Sequence, residues 1–158
     1  MVVEADRICS GVSENTTAKI TSQHGLIYSQ LIQVYGREKA GMYLQANEAA
    51  LGEYRKLAAE IDCDFEEKDA YTYSLADRKT IEDEVRALQS LGFPAEFAEG
   101  ADLSLPFQTR GAVRYRKQAQ FHPLKFAAKI AEDLDVCEYT LVRDISRNAA
   151  YTDRGTIT

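Results

Sequence analysis

The residues best placed to do chemistry crowd into one opening stretch, Val2 to Gly25, which reads V-V-E-A-D-R-I-C-S-G-V-S-E-N-T-T-A-K-I-T-S-Q-H-G. Glu4 closes a short apolar run. A carboxylate at the C-terminal end of a strand can accept hydrogen bonds from both hydroxyls of a ribose; an ordinary strand-end acid is the other reading. Behind it, Gly11, Ser13, Asn15, Thr16 and Thr17 offer backbone amides and hydroxyls that can hold phosphate oxygens or simply face water. His24 can donate to a ligand or serve as a base near neutral pH, and equally can hold a local bond at a helix start. Much later, Arg114 and Arg116 share one face of a strand inside residues 110–129, a segment with six basic residues and no acid. Paired guanidiniums there can clamp a carboxylate in two-point fashion. The alternative is a solvated strand face that balances acidic helices.

A complete dinucleotide-binding fold sets a G-x-G-x-x-G turn about 20 residues ahead of its ribose acid. Only Met1 to Val3 precede Glu4, and no two of the nine glycines have G-x-G spacing. The string T-T-A-K-I-T-S-Q-H-G-L-I-Y, Thr16 to Tyr28, resembles the FAD-dependent oxidoreductases of the glycine/D-amino-acid oxidase type, in particular a bacterial branch that carries a very similar run. The resemblance covers essentially the whole chain. It implies FAD as cofactor of the complete protein and a small amine or amino acid as substrate. Glu4 then takes the ribose. Gly11, Ser13, Thr16, Thr17 and Lys19 follow the pyrophosphate toward the flavin, and the backbone at Leu141 and Val142 meets adenine. The catalytic candidates are His24, Arg114 and Arg116. Lacking the glycine turn, the chain is expected to be an interior fragment that neither holds FAD tightly nor turns over alone. The alternative is a flavin-free interaction module on an oxidase-like scaffold, able to self-associate through unpaired strand edges.

Composition narrows the classes further. A chain of 158 residues with 45% hydrophobic content can bury one good core. Its net charge of -6 and pI near 5.0 repel nucleic acid and anionic membranes at long range. No apolar run approaches the roughly 18 residues a membrane span needs, and the N-terminus has no export pattern, so a cytoplasmic location is expected. Cys9, Cys63 and Cys137 are widely spaced and odd in number, which suggests reduced thiols. They and the two histidines form no metal-ligand cluster.

The elements that must position these groups follow from periodicity. Leu26 to Tyr35 has helical spacing that Gly36 ends, and from Arg37 an apolar stripe (Ala40, Tyr43, Leu44, Asn47, Leu51, Tyr54, Leu57, Ile61) predicts a long core helix. Ala70 to Leu75 reads as a strand. Asp77 caps a helix that carries Ile81, Val85, Leu88 and Leu91 and stops at Gly92. Ala95 to Ala98 suggests a short strand, and Gly111 to Gln120 a longer one with Ala112, Arg114, Arg116 and Gln118 on one face. Pro123 opens a helix whose buried stripe is expected at Leu124, Ala127, Ala128, Ala131 and Leu134. Strands joined by tight turns follow from Val136, V-C-E-Y-T-L-V-R-D-I being one returning strand. Interleaved elements with closely spaced late strands predict an α+β fold, a mixed or antiparallel sheet covered by helices, not a doubly wound parallel sheet. The expected organisation is a cofactor-domain remnant at 1–25, a substrate-type domain at 26–134 and returning strands at 135–158.

Overall fold

A computed structural model describes residues 1–158 apart from the side chain of Asp102. In chain order the elements are β1 (Val2–Val3), β2 (Lys19–Ile20), α1 (Tyr28–Ala58), β3 (Glu66–Tyr73), α2 (Arg78–Ser90), β4 (Glu96–Ala98), β5 (Ala112–Gln120), α3 (Pro123–Ala131), β6 (Val136–Cys137), β7 (Val142–Ile145), β8 (Ala150–Thr152) and β9 (Gly155–Ile157). They divide into two compact units. The first comprises Met1–Ala18, Ile61–Cys63 and His122–Thr158, and the second Lys19–Glu60 and Asp64–Phe121.

In the second unit Gly36 shapes α1. It alone in the helix is non-helical, at φ 82 and ψ 162, a backbone region closed to residues with a Cβ, so the apolar period restarts after it as expected. The start of α1 has no side-chain cap of its own. Instead Glu84 of α2, 0% exposed, accepts from the backbone N–H of Tyr28 and of Ser29, each at 2.8 Å. Helix α2 begins as predicted, the Asp77 carboxylate accepting from the Lys79 amide at 2.8 Å. Its Ile81, Val85 and Leu88 face the core with Tyr28 and Leu44 of α1 and Val113 and Tyr115 of β5. The buried stripe of α1 is narrower than its period suggests: Ala40, Leu44 and Leu51 are buried, whereas Tyr43, Tyr54 and Leu57 are exposed. A long helix laid over one small sheet touches it along only a few turns.

Strand β5 is central, antiparallel to β3 on one side and to β2 and β4 on the other. This antiparallel sheet packed with helices is the expected α+β class. Two local expectations need correction. Strand β3 starts at Glu66, ahead of the predicted Ala70, because its charged half pairs with Gln118, Ala119 and Gln120; backbone pairing, not side-chain preference, extends it. The pairing of β3 with β5 slips between Lys68 and Ala70, opposite the stretch of β5 from Tyr115 to Gln118 in which Lys117 takes φ 55. This bulge ends the simple alternation, so Gln118 is buried at 1% exposure instead of lying beside the exposed Arg116. The Tyr115 hydroxyl is buried with no hydrogen-bond partner among the described residues. Tyr115→Phe is therefore expected to raise stability by about 1 kcal/mol, because an unmade buried hydrogen bond costs more than its absence. A urea titration followed by circular dichroism checks the sign.

In the first unit β1 and β6 form a two-stranded parallel sheet with Val2 opposite Val136 and Val3 opposite Cys137, and β7, β8 and β9 form an antiparallel meander. The expected single returning strand is thus two. Tyr139, at φ 51, breaks it between β6 and β7. Helix α3 starts at Pro123 as predicted, but its buried residue is Phe126, while Leu124 and Leu134 are 37% and 47% exposed. Of the predicted stripe, Leu124, Ala128 and Leu134 are exposed and Ala127 and Ala131 half-buried.

Candidate functional site

Within the first unit, the parallel pairing fixes Glu4. Its amide donates to the Cys137 carbonyl at 3.0 Å and its carbonyl accepts from the Thr140 amide at 2.7 Å, so the side chain emerges at the C-terminal end of β1. The carboxylate takes the Asp6 amide on Oε1 at 3.0 Å. That geometry suits an acceptor for paired hydroxyls. Beyond it, the loop is turned on itself by the Asn15 side chain, which donates to the Gly11 carbonyl at 2.6 Å, and by Gly11 at φ 72. Ser13, Thr16 and Thr17 are exposed on this loop; the Thr16 hydroxyl also accepts weakly from the Ala18 amide at 3.4 Å. Val142 is engaged in the meander opposite Thr152. Its neighbour Leu141 exchanges bonds with Asp153, its amide donating to Asp153 Oδ1 at 3.1 Å and its carbonyl accepting from the Asp153 amide at 3.2 Å. The residues present fit the ribose and phosphate ends of a dinucleotide cofactor; the Leu141 amide is already committed.

Within the second unit, Lys19, Thr21, Gln23 and Gly25 line a cavity of about 550 Å³ together with residues 68–72 of β3 and 118–120 of β5. Alternate residues of K-I-T-S-Q-H-G therefore share one surface, as an extended segment beside β5 must present them. The intervening Ser22 turns inward. Its amide donates to Gln118 Oε1 at 2.8 Å and its hydroxyl to Glu48 Oε1 at 2.5 Å, while its carbonyl accepts from the Tyr28 hydroxyl at 2.8 Å. Burial pushes the Tyr28 phenol well above its ordinary range, so it stays a donor. Gln23, 9% exposed, donates to the Val113 carbonyl at 3.3 Å. Sequence reading passed over Ser22, Gln23, Glu48 and Gln118; the one available signal was a polar Thr-Ser-Gln run between apolar Ile20 and Leu26.

His24 lies outside the cavity lining, exposed, with Nδ1 2.9 Å from the Tyr43 hydroxyl and the two rings 6.0 Å apart, edge to face. Arg114 and Arg116 do come together, but onto protein carboxylates. Arg114 donates to Asp69 through Nε at 2.7 Å and also through Nη2, and reaches Glu96 at 3.5 Å. Arg116 forks onto Glu96 at 2.8 and 2.9 Å. Desolvation pushes the Asp69 carboxyl up, yet the bonds from Arg114 and the Lys117 amide outweigh it and the net position is below the usual range. Arg116 likewise holds Glu96 low. Both acids are ionised at neutral pH, so a substrate carboxylate would have to displace one of them.

A family model described as FAD dependent oxidoreductase matches residues 1–157. YhfW of Bacillus subtilis (strain 168), provisionally named a Rieske 2Fe-2S iron-sulfur protein, is 31% identical over 156 residues, covering 93% of this chain and 30% of that protein. Among solved structures, glycine oxidase from Geobacillus kaustophilus superposes with a TM-score of 0.71 at 18% identity, over 99% of this chain and 45% of its own. L-proline dehydrogenase from P. horikoshii gives 0.69 at 19% identity, over 99% and 43%. L-amino acid deaminase from Proteus vulgaris gives 0.62 at 14% identity, over 99% and 39%. The chain thus spans less than half the length of each of these proteins.

Proposed function

Because the chain belongs to the FAD-dependent oxidoreductase family, we propose that it supplies the ribose-binding strand end and the substrate-side sheet of an oxidoreductase acting on an amine or amino acid. In this reading residues 1–25 belong to the cofactor domain, 26–134 to the substrate domain and 135–158 to the returning strands. What supports it above all is Glu4, held at the end of a parallel strand with a polar loop behind it. FAD, when bound to the complete protein, supplies acceptance of a hydride from the carbon bearing the amine. Glu4 would hold the ribose and Gly11, Ser13, Thr16 and Thr17 the phosphates. Lys19, which lines the cavity of the second unit, would stand near the flavin. His24 is kept as a candidate donor, with Tyr43 fixing its ring.

The 158 residues hold no G-x-G-x-x-G run, so the isolated chain is proposed to be inactive and to bind FAD weakly or not at all. Purified chain is expected to be colourless; a flavin absorption band that survives gel filtration would overturn this. The match covers 30% of YhfW, and among the described residues no three His, Cys, Asp or Glu side chains gather to hold a metal ion, so the Rieske label is said of that protein alone.

A second reading, a flavin-free interaction module in the cytoplasm, draws on β1 and β6. A parallel sheet of two short strands is rarely stable alone, and Met1, Val2 and Ile145 expose 65%, 43% and 74% of their surface in the same unit. Among the described residues no helix is long and apolar enough to cross a membrane. Light scattering separates the readings: a module with open strand edges should run as a dimer or larger, without flavin.

A further inference from the structure

We infer that Tyr43 is a positioning residue that holds the His24 imidazole with its proton on Nε2, so that His24 meets a ligand as a hydrogen-bond donor and not as a base. On the reading that places His24 in the working site, this decides between the two roles open to it. The backbone around His24 is pinned independently of its ring. Its neighbour Gln23 donates from the backbone N–H to the Thr21 hydroxyl at 2.9 Å and from the side chain to the Val113 carbonyl at 3.3 Å, and Gly25 turns the chain at φ 83. Tyr43 is held as well: its ring centre lies 6.0 Å from that of Tyr28, whose hydroxyl donates to the Ser22 carbonyl at 2.8 Å. Between these two fixed pieces, the Tyr43 hydroxyl sits 2.9 Å from His24 Nδ1.

That contact sets the tautomer, because in a neutral imidazole one nitrogen carries the proton and the other accepts. A phenol is a far stronger acid than an imidazole N–H, so the shared proton stays on Tyr43 and points at the Nδ1 lone pair. The imidazole proton then resides on Nε2, which has no hydrogen-bond partner among the described residues and belongs to an exposed ring. A second proton would go to Nδ1, with the Tyr43 oxygen turning to accept from it. Nε2 is therefore N–H in both charge states. A base needs a free lone pair within reach of the proton it removes, and this ring turns none outward; what it offers is a donor for an acceptor atom such as a carbonyl oxygen.

The tautomer is read directly from a long-range ¹H–¹⁵N correlation spectrum of the 158-residue chain at about pH 8.5, where an ordinary imidazole is neutral. His24 is expected to show a bare Nδ1 and a protonated Nε2. Tyr43→Phe keeps the ring contacts with His24 and Tyr28 and removes only the hydroxyl, so the two His24 nitrogen signals should move toward each other as the Nδ1–H form gains population. The signals of His122, whose Nδ1 accepts from the Lys125 amide at 3.4 Å, should stay in place. Tyr35→Phe, which alters an exposed tyrosine elsewhere on α1, should change neither histidine. A dominant Nδ1–H form in the unmodified chain, or His24 signals that Tyr43→Phe leaves where they were, would overturn the inference. The first of these outcomes needs no variant, so it holds even where Tyr43→Phe does not fold. No flavin signal is read, so this result and the colour of the purified protein fail or succeed independently.

Discussion

Glu84→Ala is expected to cost about 3 kcal/mol of stability, read as a lowered urea midpoint, because it strips the start of α1 of its acceptor and leaves buried amide donors unpaired. Both carboxylate oxygens are in use, Oε1 on Tyr28 and Oε2 on Ser29, and Ile27 brings no side-chain substitute. Glu84→Gln keeps one acceptor oxygen and should lose about half as much. The charge itself has the opposite sign of effect. Burial raises the Glu84 carboxyl above its ordinary value of 4.5, more than the amides of Ser29, Tyr28 and Ile27 lower it. The folded state therefore binds this proton more tightly than the unfolded chain does. Its contribution to stability is full below the unfolded value and fades as pH rises through the folded one. Above pH 4.5 the unmodified chain should lose stability relative to Glu84→Gln, so the gap between them narrows with rising pH. A gap that widens over that interval would show that the amides, not burial, control the group. The loop from Gln23 to Ile27 enters α1 at this point, so the same carboxylate sets where the cavity-lining segment ends.

Much of this was legible in the sequence wherever one residue dictates its own backbone. Gly36 broke α1, Asp77 capped α2, and Gly92 ended it at φ 83. The α+β class followed from the order of elements. What could not be read depended on partners distant in the chain. Glu84 looks like a surface acid in R-K-T-I-E-D-E-V, and only the arrival of α1 makes it a cap. Arg114 and Arg116 stood in a stretch without acids, yet Asp69 and Glu96 reach them from β3 and β4. The bulge at Lys117 left no trace, since lysine has no preference for φ 55. Helix α3 shows the opposite failure: its apolar period is real, but Leu124 and Leu134 are only partly covered. Periodicity reports that a face can be buried, and packing decides whether it is.

Gly111→Ala is expected to cost about 4 kcal/mol, the sum of backbone strain and overpacking. Gly111 precedes β5 at φ +128, and a Cβ placed there would sit 2.2 Å from Cζ and 2.8 Å from Cε2 of Phe97. The Phe97 ring cannot swing away cheaply, because it packs against the core and carries the Arg78 guanidinium 4.3 Å above its centre. Nor can the glycine retreat, since its carbonyl accepts from Ser74 at 3.1 Å while the Arg110 amide is tied to Ser74 at 2.8 Å. Gly155→Ala isolates the strain, for it also has a positive φ, +141, but its added Cβ would meet nothing within 4 Å; about 1–2 kcal/mol is expected there. A double-mutant cycle apportions the rest. Phe97→Leu should recover about half of the Gly111→Ala loss, because neighbours that clash are not additive. Equal costs with and without the ring would place the whole effect in the backbone. The point reaches beyond stability: Gly111 aligns the start of the strand that carries Arg114 and Arg116 and ends at Gln120 in the cavity wall.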